Sequence, residues 1–386
     1  MKEISEIIHA FDKAQHEGKL TALVTLVHVE GSSYRRPGAR MLVTETGELT
    51  GAISGGCLEG DALNKALLAM HQQKNMLVTY DTTDEDDAVL GLGLGCSGVI
   101  QVLIQPVNNE SENGPIQLLK KVADSRQNNV LVTLFSLKER KAEQPGTVIY
   151  KNDDELLYIN DVCPSIKRII EEDITASYKN QHSSFRNYRT TDTDITAYIE
   201  FIQPAVSLVI VGAGNDAEPV AAMASILGWQ VTLVDDGRDK NTKKGRFAGT
   251  CQMMAVKPEE VLKNILLDEN TFFLLMTHNY NYDMAMLREL LPKKVRYIGL
   301  LGPRKKMDRM LAELETEGAR FTHQQLAAVH SPVGLDIGAE TPEEIALSMI
   351  AEIKTVMSGK QGNPLRYSND VIHPRNATII ETRNSL

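Results

Sequence analysis

LVIVGAGNDA, residues 208–217, decides the fold of the second half of the chain. Four apolar residues run straight into G-x-G-x-x-A, the accepted variant of the dinucleotide fingerprint. The first glycine permits a tight turn, and the second lets a backbone come close to a phosphate. A second apolar run, residues 230–234, ends at Asp235-Asp236. That is the offset expected for a carboxylate on a ribose hydroxyl. Further strands are predicted at 271–276 and 295–300, with helical segments between them. Strands alternating with helices imply a parallel sheet covered on both faces, a Rossmann-like doubly wound α/β domain. Thr341-Pro342-Glu343-Glu344 then opens a strong helix with a capping box, and Gly359 suits its end.

In such a sheet, ligands bind at the carboxyl ends of the strands. Gly212, Gly214 and Asp235 are therefore candidate nucleotide contacts. Thr277-His278-Asn279, Gly302-Pro303-Arg304 and the loop after His330 fall at the same edge. His278 is a candidate acid/base or ligand, against the plainer reading of a histidine satisfied within its loop. Arg304 offers a grip on a phosphate or carboxylate, against that of an exposed loop arginine.

Working towards the N-terminus, two of the four cysteines sit in glycine-rich turns: GAISGGCLEG, 51–60, and GLGLGCSG, 91–98. Cys57 and Cys96 are presented there as soft metal ligands or nucleophiles, with Gly55, Gly56 and Gly95 bringing backbone close to a ligand. The competing reading is a small side chain packed beside glycines. Glu59 is either a proton acceptor near Cys57 or a cap for the helix that follows. Upstream, GSSYRRPGAR, 31–40, combines hydroxyls, cations and turn residues. Such a loop suits an oxyanion, or is an ordinary hairpin connection around Pro37-Gly38. Cys163 and Cys251 lack such surroundings and read as structural.

These features divide the chain into an N-terminal α/β domain with the cysteine turns (1–107), a middle segment (108–204), the Rossmann-like domain (205–360) and a polar tail (361–386). The middle segment carries strands and a helix but no chemical motif. It reads as a spacer, an interaction surface or an elaboration of a neighbouring domain. A net charge of -10 argues against nucleic acid or an anionic membrane as general partner. No apolar run is long enough to span a membrane, and the first residues have no signal-peptide core. Four scattered cysteines form no C-x-x-C pair, so a reducing cytoplasm is the simplest expectation.

Taken together, GSSYRRPGARMLV, GAISGGCLEGDA, GLGLGCSGVIQV, VIVGAGNDAEPVA, VTLVDDGR, MTHNYNYD, YIGLLGPRKK and HSPVGLDIGAETPEEIALSMIAEI resemble the XdhC/CoxI family of xanthine dehydrogenase accessory proteins. Ser97 stands where the family pattern often has glycine, a change that a turn accommodates. The resemblance implies a molybdenum-cofactor chaperone rather than a turnover catalyst. Such a protein binds molybdopterin or its dinucleotide form and guards it while a cysteine desulfurase installs a terminal sulfur. It then passes the cofactor to a xanthine dehydrogenase-like apoenzyme. Carried over, Cys57 and Cys96 lie near the molybdenum or its sulfur, and Arg35, Arg36 and Arg40 meet the anionic groups. The Rossmann half would take the nucleotide of a dinucleotide form, and a homo-oligomer would enclose an oxygen-sensitive cargo. Two alternatives stand beside it. One is an NAD(P)-linked oxidoreductase using Gly212, Gly214 and His278. The other is a scaffold docking a desulfurase to a hydroxylase.

Overall fold

A computed structural model describes residues 1–31, 33–81, 98–107, 114–191, 194–235, 247, 251–367 and 380–384. Cys96, Gly95 and Asp236 lie outside the described residues. The chain divides into two units, residues 1–204 with 373–386, and residues 205–372.

The first unit holds two sheets. Strands β1 (Thr21–Gly31), β2 (Arg40–Thr44), β3 (Leu49–Gly51), β4 (Met76–Asp81) and β5 (Gly98–Val107) form one antiparallel sheet in the order β3-β2-β1-β5-β4. Residues 21–29 of β1 are all buried because the sheet is covered on both faces. Helix α2 (Glu59–Gln72) lays Ala62, Ala66, Ala69 and Met70 on one face, against Val24, Leu26, Met41 and Val102. Three alanines let helix and sheet approach closely. Helix α1 (Lys2–His16) packs Ile4, Ile7 and Phe11 against Leu23 and Leu42 on the other face. Helix α3 (Pro115–Asp124) joins it there.

The middle segment is an elaboration of this unit. It supplies β6 (Asn129–Phe135), β7 (Gly146–Lys151), β8 (Leu156–Tyr158), α4 (Pro164–Asn180), β9 (Ser184–Arg189) and β10 (Asp194–Ile202). Phe135, Phe185 and Tyr198 from these strands pack with Val27, Leu77 and Leu103 of the first sheet. The tail is also integrated: β17 (Ile380–Asn384) adds to β9 in parallel, completing the order β17-β9-β10-β6-β7-β8. The intervening strands belong to the second unit. Fully buried Asp173 of α4 accepts from the Tyr188 hydroxyl at 3.0 Å and from Arg383 of β17 at 2.7 Å.

The second unit is a six-stranded parallel sheet of β11 (Ser207–Val211), β12 (Gln230–Asp235), β13 (Gln252–Ala255), β14 (Thr271–Leu275), β15 (Ile298–Leu300) and β16 (Val329–His330). Its order is β13-β12-β11-β14-β15-β16, the 3-2-1-4-5-6 arrangement of a dinucleotide-binding fold. Helices α5 (Ala217–Ile226) and α10 (Pro342–Ser358) cover one face. Helices α6 (Pro258–Asn264), α7 (Tyr280–Leu290) and α8 (Arg304–Thr316) cover the other, and the short α9 (His323–Ala327) leads into β16. Thr341 and Glu344 form the predicted capping box on α10, and Gly359 ends it at φ 64°. No helix among the described residues is long and apolar enough to cross a membrane.

Removing residues 380–386 deletes the β17 ladder and leaves Asp173 without Arg383. We expect a loss of about 1–3 kcal/mol from the first unit, seen by calorimetry as a lowered transition for that unit alone.

Candidate functional site

The Cys57 turn is organised from within. Glu59 reaches back so that one carboxylate oxygen accepts from the Ile53 amide at 3.2 Å and the Ser54 amide at 2.8 Å. Its other oxygen accepts from the Ser54 hydroxyl and the Leu58 amide. Ser54 Oγ in turn accepts from the amides of Gly56, Cys57 and Leu58 at 3.1–3.3 Å. Gly56, at φ 106°, makes the reversal possible. The amides of residues 53, 54 and 56–58 therefore point inward, and the Cys57 side chain, just before α2, is exposed. Burial pushes the Glu59 carboxyl up, but the Ser54 and backbone hydrogen bonds outweigh it and hold the group below the usual carboxylate range. Glu59 is thus the turn's internal acceptor.

The basic loop between β1 and β2 is pinned, and this changes the reading of its arginines. Arg40 is buried and forms an ion pair with Glu200 of β10, while also donating to the Gly38 carbonyl at 2.8 Å. Burial disfavours its charge; Glu200 more than restores it and raises the Arg40 pKa. Arg35 is paired with Glu3 of α1, whose other oxygen accepts from the Arg40 amide at 2.9 Å. Arg36, Pro37, Gly38 and Ala39 form a turn closed by Ala39 N–H to the Arg36 carbonyl at 3.1 Å, with Gly38 at φ 94°. A Cβ at Gly38 would lie 2.5 Å from the Glu200 carboxylate, and the Tyr198 hydroxyl donates to the Pro37 carbonyl at 3.1 Å. Of the three arginines, Arg36 is the exposed one, and no carboxylate pairs with it among the described residues.

The loop and the turn meet. The Tyr34 ring lies over Gly55, where a Cβ would sit 3.5 Å from its Cγ and Cδ1. Tyr34 remains 75% exposed. Buried Ser33 Oγ has no hydrogen-bond partner among the described residues.

In the second unit, Gly212 ends β11 at φ 124°, where a Cβ would lie 2.5 Å from the Met276 carbonyl after β14. That is the switch point of the sheet, between the two strands from which the order diverges. Ala217 is fully buried beneath the fingerprint, as its third small position requires. Asp216 stands at the start of α5, and His278 Nε2 lies 3.3 Å from its carboxylate. The imidazole edge is also close to Gly214. His278 is 64% exposed and holds φ 55°, an uncommon backbone for a non-glycine residue. Asp235 is half-buried at the end of β12, and Arg304 is exposed at the start of α8. Sequence reasoning missed Lys306. Its ammonium turns inward to fully buried Asp283 at 2.7 Å and to the Leu301 carbonyl at 3.0 Å. Asp283 also accepts from the Thr277 hydroxyl at 2.7 Å, which fixes the loop carrying His278. His330 belongs to a separate structural cluster: its Nδ1 lies 3.2 Å from Glu352 of α10, which also accepts from the Tyr297 hydroxyl at 2.6 Å.

Two family descriptions match the chain over these same regions. Residues 14–81 match the XdhC and CoxI family, and residues 208–353 match the XdhC Rossmann domain. A Bacillus subtilis (strain 168) protein described as a probable xanthine dehydrogenase subunit is 30% identical over 333 residues, covering 86% of this chain and 91% of that protein. The chain belongs to the XdhC/CoxI family. The molybdenum cofactor insertion chaperone PaoD of Escherichia coli (strain K12) is 24% identical over 345 residues, 89% of this chain and 86% of PaoD. A crystal structure described as a xanthine dehydrogenase from Bacillus halodurans superposes with a TM-score of 0.69 at 27% identity. It covers 94% of this chain and 99% of that one. Among the described residues of this family member, no group of three His, Cys, Asp or Glu side chains could hold a metal ion.

Two outcomes follow from the first unit's geometry. Glu200→Ala leaves Arg40 buried and unpaired, which should cost about 3–5 kcal/mol; urea unfolding measures it, and hydrogen exchange should show the amides of 33–39 losing protection. Glu59→Gln should destabilise by about 1–2 kcal/mol at neutral pH. Because the folded pKa of Glu59 is depressed, its contribution is complete above the ordinary glutamate value of about 4.3. It fades as pH falls through the lower folded value, so the wild-type and Gln unfolding curves should converge in acid.

Proposed function

We propose that this XdhC-family chain carries the molybdenum cofactor as cargo, protects it during sulfuration and delivers it to a xanthine dehydrogenase-type molybdenum hydroxylase. The observation that carries this reading is the exposed Cys57, whose own amide is held by Ser54, beside a pinned loop that leaves Arg36 outward. A thiol is a soft ligand suited to molybdenum and sulfur chemistry. An unpaired guanidinium suits the phosphate of a molybdopterin. Ser33 Oγ, buried without a partner among the described residues, adds a free polar group to the same loop. The donor set therefore fits an anionic, sulfur-rich cargo. Cys57 would lie at its metal or sulfur end and Arg36 at its phosphate, with Arg35 and Arg40 holding the loop in place. Cys96 is the proposed second thiol. The similarity to PaoD, named as a molybdenum cofactor insertion chaperone, supports the same assignment. A cysteine desulfurase as sulfur donor and a xanthine dehydrogenase-like apoenzyme as recipient complete the reading.

The Rossmann unit would take the nucleotide of a dinucleotide form of the cofactor. The alternative, an NAD(P)-linked oxidoreductase, needs a pyrophosphate at the start of α5. Asp216 already places a carboxylate there, which opposes an anion unless His278 compensates.

The deciding experiment is anaerobic purification from a host that makes the cofactor, with molybdenum by elemental analysis and pterin by fluorescence. Wild type should retain both in stoichiometric amount, and Cys57→Ala should lose them with its unfolding midpoint unchanged. Wild type that holds neither, even after mixing with sulfurated cofactor, and that binds NAD(P) tightly would overturn the reading in favour of the oxidoreductase.

A further inference from the structure

The basic loop leaves two large side chains outward, and their setting differs from that of ordinary surface residues. Arg35, Pro37, Gly38 and Arg40 are all tied inward, through Glu3, Tyr198 and Glu200. The loop is therefore held from both sides, and Tyr34 sits on it as a presented ring rather than a drifting one. Its inner side rests on Gly55, two residues before Cys57 in the same turn. Its hydroxyl makes no hydrogen bond to the described residues and faces solvent. Arg36 is two residues further along the same loop.

We propose that Tyr34 is a stacking platform for the flat heterocycle of the bound cofactor. This inference rests on the function proposed above and adds the residue that recognises the ring. The aminopyrimidinone ring of a pterin is planar and polarised, and such rings stack on tyrosine offset and parallel. A ring held by its loop loses little freedom on binding, which is the condition under which stacking yields affinity. The three outward groups then divide the ligand by chemistry. The thiol of Cys57 faces the metal and its sulfurs, Tyr34 the heterocycle, and Arg36 the phosphate. Gly55 matters because backbone alone lies under the ring; at 3.5 Å an added methyl would make ordinary contact, so the platform does not depend on glycine there.

The test uses the full chain and purified molybdenum cofactor, mixed anaerobically and separated by ultrafiltration. Retained pterin is read by fluorescence after oxidation. Tyr34→Phe keeps the ring and should bind within about twofold of wild type. Tyr34→Leu and Tyr34→Ala remove it and should bind roughly tenfold or more weakly, the range found when an aromatic platform is lost. Unfolding midpoints should match wild type in all three, because Tyr34 is so exposed. Wild-type affinity in Tyr34→Leu would mean that apolar cover rather than stacking matters, and would overturn the proposal. So would wild-type affinity in Tyr34→Ala, and in both cases the chaperone reading would stand because cofactor is still held. Wild type that retains no cofactor removes the chaperone reading and this inference together.

Discussion

The Arg40–Glu200 ion pair is the contact on which the candidate site in the first unit depends. Taking two charges out of water is expensive, and only good geometry and further hydrogen bonds repay it. Here Arg40 also binds the Gly38 carbonyl, and the Glu200 carboxylate occupies the space that a side chain at residue 38 would need. The pair therefore fixes where β2 begins, how the turn before it folds and why that turn contains glycine. It also explains what the middle segment is for. Strand β10 brings Glu200 and Tyr198 to the base of the basic loop, so a stretch without chemical motifs sets the geometry of one that has them.

The glycine turns of both units share a further property. By sequence, each looks like a nest of backbone amides awaiting an anion. In each, the chain has supplied its own carboxylate. Glu59 takes the amides around Cys57 directly and through Ser54, and Asp216 stands at the start of α5 opposite His278. An incoming anion at either place would meet a negative charge of the protein's own. In the cysteine turn this leaves the exposed Cys57 side chain as what faces outward. In the Rossmann unit it puts the Asp216 carboxylate 3.3 Å from His278 Nε2.

Much of this was legible in the residues. The doubly wound sheet follows from the run ending in Gly212 and from the strand-helix alternation after it, because buried parallel strands must be apolar on both faces. The α10 cap was readable from Thr341 to Glu344 for a local reason: its partners are three residues apart. The roles of Arg35 and Arg40 were not readable, since Glu3 and Glu200 are 32 and 160 residues away from them. One signal was available. Glu200 is the single charge within the apolar run of residues 197–202, and a charge inside a buried strand calls for a partner. The tail misled for a similar reason. Residues 361–386 are polar overall, and β17 is held by backbone pairing and by Arg383 on Asp173 rather than by an apolar face of its own.

Charge placement differs between the two units. In the Rossmann crevice, Lys306 is the inward cation, and it is committed to fully buried Asp283, which in turn holds Thr277 and the loop of His278. Withdrawing that ammonium would leave a buried carboxylate uncompensated, so Lys306 is not available to a ligand without a large penalty. The exposed cations at this edge, among the described residues, include Lys257 at the start of α6 and Arg304 and Lys305 in the first turn of α8. In the first unit the buried arginine is committed, and the exposed Arg36 lies two residues along the loop from Tyr34. The Rossmann unit's switch point carries a glycine approach at Gly212 and a His278–Asp216 pair.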